Sequence, residues 1–243
     1  MTAEQPDIHG NLAAVRERIH AAAIASGRTP EHIRLLAVSK YMPEAYIKTA
    51  MAAGQHVFGE NTVQDALTKL PLLRDPANEW HFIGHLQSNK AKHIPGNFSW
   101  FHTLGSLKLA NRLAQQCRLH DTELNILVQA NISNDPDKHG LAVAGIDGFI
   151  DSLLSGNYTG LSLCGLMTIG QRTASLPERQ REFAALRELS RACATRFGEQ
   201  YFTELSMGMS NDFELAIQEG ATIVRVGSAI FGARPRRPSP DPP

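Results

Sequence analysis

Eight apolar segments rich in β-branched residues alternate with segments of helical spacing along this chain of 243 residues. The strand candidates span residues 33–39, 56–59, 80–84, 100–104, 124–132, 161–168, 202–206 and 222–226. Several are nearly continuous in apolar residues, which is typical of strands buried on both faces of a parallel sheet. Strict alternation of strands and helices predicts an α/β fold, a single-domain (β/α)8 TIM barrel. An open doubly wound sheet is the alternative.

Helix signals lie between the strand candidates. Asn61 can cap the helix after the second strand, with Gln64 in the third position of a capping box. Ser210 can cap a helix over residues 211–219, which Gly220 would end. An extra N-terminal helix before the first strand has its apolar residues on one stripe. The helices predicted from apolar spacing span residues 12–25, 43–54, 87–93, 107–119, 146–154 and 177–197.

The charge balance narrows the classes of partner. The chain carries 24 basic and 24 acidic residues and no formal net charge. Without a basic field, binding to nucleic acid or to an anionic membrane surface is not expected. The N-terminus lacks the regions of a signal peptide, and no uncharged apolar run could span a bilayer. Three scattered cysteines form no disulfide framework, so we expect a cytoplasmic protein in a reducing compartment.

One domain with short ends accounts for the whole chain. We expect a flexible N-terminus over residues 1–10, the barrel over residues 11–234 and a disordered tail over residues 235–243. The tail is too rich in proline to continue a helix or to pair as a strand. No internal repeat, linker or low-complexity interior indicates a second domain.

Lys40 closes the apolar segment that forms the first strand candidate. In a barrel, functional residues gather at the carboxyl ends of the strands. A lysine there would be partly desolvated, which favours its neutral amine, and a neutral amine can form a Schiff base with an aldehyde. The alternative is a lysine whose side chain reaches from the strand end into water.

Two loops that a barrel would place side by side carry the chemistry of a phosphate site. Ser206, Gly208 and Ser210 follow the seventh strand candidate, and Gly227 and Ser228 follow the eighth. Glycine allows close approach of the backbone, serine hydroxyls donate hydrogen bonds, and a helix start offers unpaired N–H groups. Barrels commonly bind phosphate with these two loops. Turn and cap chemistry is the alternative for either loop alone.

An aldehyde-trapping lysine and a phosphate site within one barrel describe pyridoxal 5′-phosphate (PLP) as the cofactor. Arg225 lies two residues before Gly227, so both residues share a face of the eighth strand. A protonated arginine can only donate to the ring nitrogen of PLP and would keep that nitrogen unprotonated. The ring would then be a weaker electron sink. A salt bridge at the barrel end is the alternative role for Arg225.

Several other residues are weaker candidates. His81 and His85 are four residues apart, but no carboxylate or cysteine ligand set accompanies them, so positioned or core histidines are expected rather than a metal site. Lys138 is either a loop charge or a second lysine at the site. A solvated helix face is preferred over an anion patch for Asn89, Lys90 and Lys92.

Six sequence motifs extend from the first strand candidate to the last helix. They are Ala37-Val38-Ser39-Lys40, Phe58-Gly59-Glu60-Asn61, Trp80-His81-Phe82-Ile83-Gly84-His85-Leu86-Gln87-Ser88-Asn89-Lys90, Leu163-Cys164-Gly165-Leu166-Met167-Thr168-Ile169, Leu205-Ser206-Met207-Gly208-Met209-Ser210-Asn211-Asp212 and Val224-Arg225-Val226-Gly227-Ser228-Ala229-Ile230-Phe231-Gly232-Ala233-Arg234. Taken together, they resemble the pyridoxal phosphate homeostasis protein family, which is similar to the barrel domain of alanine racemase.

The resemblance implies a PLP-binding barrel with the cofactor on Lys40, ring contact by Arg225, and pocket roles for Asn61 and Met167. The phosphate contacts it implies come from Ser206, Ser210, Gly227 and Ser228. It further implies a cytosolic protein without an established reaction, concerned with the supply and control of PLP. Apo-enzymes that depend on PLP are then candidate recipients. Some members carry a second lysine two residues after the Schiff-base lysine, where this chain has Met42.

A PLP-dependent amino-acid racemase is the alternative function. Racemisation usually needs two bases on opposite faces of the cofactor, and Lys40 could supply one of them. Alanine racemase takes its second base, a tyrosine, from an additional β-domain, which is not found after the eighth strand candidate here. We therefore expect a non-catalytic PLP-binding protein and, without a dimerising domain, a monomer.

Overall fold

The barrel closes through one continuous set of parallel strand pairs. The computed structural model describes residues 6–171 and 173–233 of the chain. Each barrel strand pairs with the next one along the sequence, and the last strand pairs with the first. The pair between the fourth and fifth strands completes the ring. The predicted (β/α)8 barrel is therefore confirmed, and the open doubly wound sheet is wrong.

All eight strand candidates form barrel strands. Their bounds are β1 Arg34–Val38, β2 Val57–Glu60, β3 Glu79–Phe82, β4 Trp100–Leu104, β5 Leu124–Asn131, β6 Leu161–Met167, β7 Glu204–Met209 and β8 Ile223–Val226. A further two-residue strand, Leu141–Ala142, pairs with the end of β5 and was not predicted, because two residues are too few to show a strand period.

The helices pack around the barrel, largely where apolar spacing predicted them. Their bounds are α1 Ile8–Ala25, α2 Glu44–Ala52, α3 Val63–Lys69, α4 Leu107–His120, α5 Val143–Ser155, α6 Leu176–Phe197, α7 Phe213–Gln218 and α8 Ser228–Phe231. Short 3₁₀ helices cover Pro30–His32, Leu70–Leu72, Ser88–His93 and Glu199–Tyr201. The segment predicted as a helix over residues 87–93 is one of these 3₁₀ helices. None of the described helices combines the length and hydropathy that crossing a lipid bilayer requires.

The first helix starts earlier than predicted. It begins at Ile8, where the Oδ1 atom of Asp7 accepts the N–H of Gly10 at 2.9 Å. Part of the segment expected to be flexible is therefore helical. The expected tail over residues 235–243 lies outside the described residues.

Strand β7 differs most from its prediction, since it runs to Met209 instead of ending at Ser206. Its pairing with β8 shifts by one residue, because Ser206 lies opposite Ile223 while Met209 lies opposite Arg225. This irregularity is a β-bulge, which bends a strand and changes the direction of its side chains. Gly208 lies inside it with φ at +88°.

Two apolar layers hold the barrel together. The larger one fills the space between the strands and the surrounding helices. The smaller one lies inside the barrel, where side chains from five strands meet: Leu36, Trp100, Leu127, Met167 and Ile223. Inward side chains therefore alternate with outward ones along each strand, which decides which residues can reach the barrel mouth.

Candidate functional site

A cavity of about 820 Å³ opens at the carboxyl ends of the barrel strands. Seven of the nine site residues singled out from the sequence line it: Lys40, Asn61, Met167, Ser210, Arg225, Gly227 and Ser228. Ser206 and Gly208 do not. The cavity has the size typical of small-molecule and cofactor sites, ~300–1,000 Å³.

Lys40 reaches the cavity because it follows β1 on the inward face. Val38 also lines the cavity, and Ser39 between them is completely buried on the other side. The next residue, Tyr41, has φ at +62°, a left-handed conformation that is unfavourable for residues with a side chain. Its N–H donates to Asp65 Oδ2 at 2.7 Å, and the N–H of Met42 donates to Ser39 O at 3.0 Å. These two hydrogen bonds fix the turn that carries Lys40 on the side facing away from the cavity.

Ser39, Glu60, Asp65 and Lys69 form a polar group behind that turn, here called the support cluster, and all but the partly exposed Asp65 are buried. Lys69 Nζ lies 2.9 Å from Glu60 Oε1, 2.8 Å from Asp65 Oδ2 and 3.0 Å from Ser39 O. Ser39 Oγ donates to Glu60 Oε1 at 2.7 Å. Neither Asp65 nor Lys69 was singled out from the sequence, although their spacing of four residues within one helix is a recognisable signal for an ion pair.

The two carboxyl groups of the support cluster are shifted in opposite directions. Burial raises the pKa of Glu60 to about 7, and the charge of Lys69 offsets only part of that shift. Burial also raises the pKa of Asp65, but hydrogen bonds from Lys69 and from the N–H of Tyr41 outweigh it, so this pKa lies below its ordinary value. Glu60 Oε2 is buried without a hydrogen-bond partner in the described chain. The cluster is therefore sensitive to the protonation of Glu60.

Asn61 lines the cavity instead of capping a helix. The N-cap of α3 is Thr62, with no side-chain cap bond, so the predicted capping box of Asn61 and Gln64 is wrong. Gly84 explains the position of Asn61, because a Cβ atom at Gly84 would lie 1.9 Å from Asn61 O. Asn61 Oδ1 is buried and has no hydrogen-bond partner in the described residues. A buried acceptor without a donor calls for one from a ligand or a water molecule.

Ser210 joins the two loops predicted to hold an anion. Its Oγ accepts the N–H of Gly227 at 3.2 Å and the N–H of Ala229 at 3.4 Å. The predicted capping role of Ser210 is wrong, because α7 starts at Phe213 with Asp212 as its N-cap. The hydroxyl instead holds the N–H of Gly227, between β8 and α8, and the N–H of Ala229, in α8, towards one point beside the cavity.

Ser206 and Gly208 lie away from the cavity lining. Ser206 is fully buried in the barrel interior, where its Oγ accepts from Arg225 Nη1 at 2.7 Å and lies 2.9 Å from His102 Nδ1. Gly208 packs against α7, since a Cβ there would lie 2.5 Å from the Cβ of Ala216 and 2.9 Å from the Cα of Phe213. The close approach expected at Gly208 thus occurs, but to a helix of the same chain.

Arg225 forms part of the cavity floor and is almost completely buried. Besides its bond to Ser206, its Nη2 donates to Thr168 O at 2.8 Å. Both partners are neutral, so a barrel-end salt bridge is not what holds this side chain. Burial lowers the pKa of Arg225 to about 10, which leaves the guanidinium protonated at neutral pH.

The weaker candidates separate in space. Lys138 lines the cavity, and its Nζ donates to Ser133 Oγ at 3.1 Å. Met42 is buried and also lines the cavity. His85 stacks on His139 with ring centroids 3.9 Å apart, while His81 is fully buried inside the barrel. Within the described ranges, no group of three or more histidine, cysteine or acidic side chains is arranged to hold a metal ion.

Comparison with known proteins decides the family. Residues 11–235 match the family described as alanine racemase, N-terminal domain. The pyridoxal phosphate homeostasis protein of Escherichia coli K12 is 43% identical over 234 residues, which cover 94% of this chain and 97% of that protein. The protein of the same name from Pseudomonas aeruginosa is 43% identical, covering 92% and 94%. The chain belongs to the pyridoxal phosphate homeostasis proteins, within the alanine racemase N-terminal domain family. The predicted family resemblance is confirmed.

Solved structures extend the comparison with the pyridoxal phosphate homeostasis proteins. PipY of Synechococcus elongatus, solved with PLP bound, has a TM-score of 0.82 and 36% identity, covering 93% of this chain and all of that chain. Its structure without PLP gives a TM-score of 0.84. Alanine racemase from Corynebacterium glutamicum has a TM-score of 0.66 at 17% identity and is covered over 62% of its length, which shows a shared fold.

Proposed function

We propose that this chain binds PLP as a Schiff base on Lys40 and serves the supply and control of that cofactor in the cytoplasm, without turning over a substrate. The observation that carries the proposal is the convergence of an amine, two loops with hydroxyl and N–H donors, and a buried arginine on one cavity. Relatives named pyridoxal phosphate homeostasis protein and the PLP-bound structure of PipY support it.

The residues at the cavity fit the chemical groups of PLP. The Lys40 amine can attack the aldehyde carbon, and loss of water then leaves a carbon–nitrogen double bond. The ring hydroxyl of PLP could donate to Asn61 Oδ1, the buried acceptor that has no partner in the described residues. Met167 lies in the apolar floor and would contact the ring.

The phosphate would lie between the β7 and β8 loops. Ser210, Gly227 and Ser228 line the cavity there, and the N–H of Gly227 already points to an oxygen, that of Ser210. Such N–H and hydroxyl donors are the groups that bind phosphate at this end of a barrel. Ser206 and Gly208 enter the proposal indirectly, Ser206 by holding Arg225 and Gly208 by placing the β7 loop on α7.

Arg225 would donate to the ring nitrogen of PLP. Two of its five N–H groups are engaged by Ser206 and Thr168, and the residue lines the cavity. A donor at this nitrogen keeps the ring neutral and weakens it as an electron sink, which favours storage of PLP over carbanion chemistry.

The absence of turnover is tested directly with amino acids. The purified holoprotein, the Lys40→Ala variant and free PLP are each incubated with single amino acids, and chirality is followed with time. We expect the holoprotein to match the rate of free PLP, because no tyrosine is among the described residues that line the cavity. A robust Lys40-dependent racemisation of any amino acid would favour the racemase alternative.

Delivery and location belong to the same proposal. PLP-dependent apo-enzymes are the proposed recipients of the cofactor. Cys117, Cys164 and Cys193 are free thiols, and burial raises the pKa of each to about 11. Thiols held in this protonated form react slowly with oxidants and suit a reducing cytoplasm.

A further inference from the structure

A continuous line of hydrogen bonds crosses the barrel interior from one end to the other. Glu79 Oε1 lies 2.7 Å from His81 Nε2, and His81 Nδ1 lies 2.8 Å from His102 Nε2. His102 Nδ1 lies 2.9 Å from Ser206 Oγ, which accepts from Arg225 Nη1 at 2.7 Å. Glu79 is the first residue of β3, at the amino end of the barrel, and Arg225 is at the cavity floor. These five residues are here called the relay.

The relay has a single consistent direction of donors. Glu79 is held as a carboxylate, because the hydrogen bond from His81 and the charge of Arg34, whose Nη1 lies 3.3 Å from Glu79 Oε1, outweigh the effect of its partial burial and keep its pKa below the ordinary value. His81 must then donate from Nε2. Complete burial lowers the pKa values of both histidines, so each ring is neutral and carries one N–H. His81 Nδ1 therefore accepts from His102, and His102 Nδ1 accepts from the hydroxyl of Ser206.

This direction has a consequence for Arg225. The hydroxyl hydrogen of Ser206 is donated to His102, so Ser206 Oγ can only accept from Arg225. A guanidinium has donors alone and requires such an acceptor. Both hydrogen-bond partners of Arg225 are neutral, and the nearby charge of Asp212 offsets only part of the cost of burying the guanidinium, so further compensation would stabilise it. Hydrogen bonds in a chain polarise one another. The negative charge of Glu79 therefore makes Ser206 Oγ a stronger acceptor, through the two imidazoles, and so stabilises the positive charge of Arg225.

We propose that His81 and His102 are positioning residues for the cofactor: the relay fixes the orientation of the Arg225 guanidinium at the cavity floor and stabilises its charge from the far end of the barrel. The inference rests on the proposed PLP function, in which Arg225 faces the ring nitrogen. It assigns a role to two buried histidines that are not among the described residues lining the cavity, and to Glu79, more than 140 residues before Arg225 in the sequence.

The tautomers of the two histidines test the relay without any cofactor. Nitrogen NMR of the ¹⁵N-histidine-labelled full chain distinguishes protonated from unprotonated ring nitrogens at pH 7. We expect both His81 and His102 to be neutral with the proton on Nε2. A proton on Nδ1 of either ring, or a doubly protonated ring, would overturn the relay.

The effect on the cofactor is measured by comparing two ligands. PLP and its analogue with a ring C–H in place of the ring nitrogen differ only at the atom that Arg225 would contact. The unaltered protein should bind PLP about tenfold more tightly than the analogue, which corresponds to one charge-assisted hydrogen bond. His102→Leu should bring the two affinities to within about twofold, since it interrupts the relay beside Ser206.

Matched variants separate positioning from stability. Ser206→Ala is the smaller interruption and should also reduce the preference for PLP. His102→Asn, whose amide oxygen can still accept from Ser206, should retain more of the preference than His102→Leu. Leu113→Ala removes a fully buried side chain of α4 outside the relay and should destabilise the fold without changing the preference.

The possible failures are distinct. If the unaltered protein does not prefer PLP over the analogue, the role of Arg225 in the proposed function fails and the inference falls with it, whatever tautomers are found. If the unaltered protein prefers PLP and both His102→Leu and Ser206→Ala keep that preference, PLP binding stands and the positioning role of the relay is overturned.

Discussion

Ser210 is the residue whose loss should most selectively weaken the phosphate end of the site. Its hydroxyl holds the N–H groups of Gly227 and Ala229 towards one point beside the cavity. We expect Ser210→Ala to weaken PLP binding about tenfold and pyridoxal binding very little, since a hydrogen bond to a charged group is worth ~1.5–3 kcal/mol. Titration calorimetry with both ligands measures this. Ser190→Ala on α6 is the control, and equal losses for both ligands would contradict the phosphate role.

The free energy of unfolding of this protein should decrease as the pH rises, because Glu60 then loses its proton. Its carboxyl has a pKa of about 7 in the folded protein against an ordinary value of 4.5, so the folded state binds more protons than the unfolded state between these values. The contribution of Glu60 to the free energy of unfolding is therefore fully present below pH 4.5 and is lost as the pH rises through about 7. This pKa shift corresponds to a loss of roughly 3 kcal/mol in the free energy of unfolding.

Urea unfolding of the unaltered protein and of Glu60→Gln, at several pH values from 5 to 8, isolates this effect, because other titrating groups contribute equally to both proteins. The unaltered protein should lose stability relative to Glu60→Gln as the pH rises. A difference that is constant with pH would show that Glu60 titrates normally.

Sequence position alone predicted several residues that line the cavity, because strand alternation decides which residues face inward. Lys40, Arg225 and Gly227 were placed correctly at the cavity for that reason. Ser206 was predicted at the cavity but lies in the barrel interior, where its hydroxyl contacts His102, a residue 104 positions away in the sequence. Asn61 was assigned to a helix cap because a cap pattern is local, whereas its contact with Gly84 depends on the neighbouring strand.

Side chains on and just after the first helix, α1, donate hydrogen bonds to the carboxyl ends of other helices, and we expect these bonds to stabilise the barrel. Asn11 Nδ2 donates to Ile230 O, Arg16 donates to Ala53 O and Gly54 O, and Arg28 Nη1 donates to Ile217 O and Ala221 O, all at 2.7–2.9 Å. Carbonyl groups at helix ends lack partners within their own helix. The side chains on and just after α1 satisfy those of α2, α7 and α8.

Arg28→Met tests this role of the first helix. It keeps an unbranched apolar stem but removes both hydrogen bonds to the end of α7, and we expect a loss of about 2 kcal/mol in the free energy of unfolding. Arg118→Met, at an exposed position of α4, is the matched control and should change stability little. Equal thermal and urea unfolding of the two variants would contradict the role given to α1.

Element type and order were predictable because the barrel strands are nearly continuous apolar runs and the helices have apolar stripes. The bulge of β7 was not predictable, since it depends on the register between β7 and β8 and on the packing of Gly208 against α7. The start of α1 was missed because the predicted stripe began at Leu12, whereas the helix is capped by Asp7 and its buried stripe already includes Ile8, one turn earlier.

The whole molecule should be a monomer in solution. Among the described residues, the exposed large apolar side chains are Ile24, Leu72, Leu119, Val143, Ile169, Leu176 and Met209, and two of them, Ile169 and Met209, line the cavity. Single exposed apolar residues are normal on monomers, whereas stable interfaces need a contiguous apolar patch. Sedimentation velocity over a wide concentration range should give the mass of one chain. A concentration-independent dimer would contradict this prediction.

Reduction followed by peptide mapping shows whether the barrel carries PLP covalently on Lys40, as proposed. Borohydride converts the carbon–nitrogen double bond to a stable single bond, so the lysine that held PLP stays labelled through digestion and mass spectrometry. We expect the pyridoxyl group on the peptide that contains Lys40 and its loss in Lys40→Ala, which should remain folded. A label found mainly on Lys90 or Lys138 would show that Lys40 is not the residue that carries PLP.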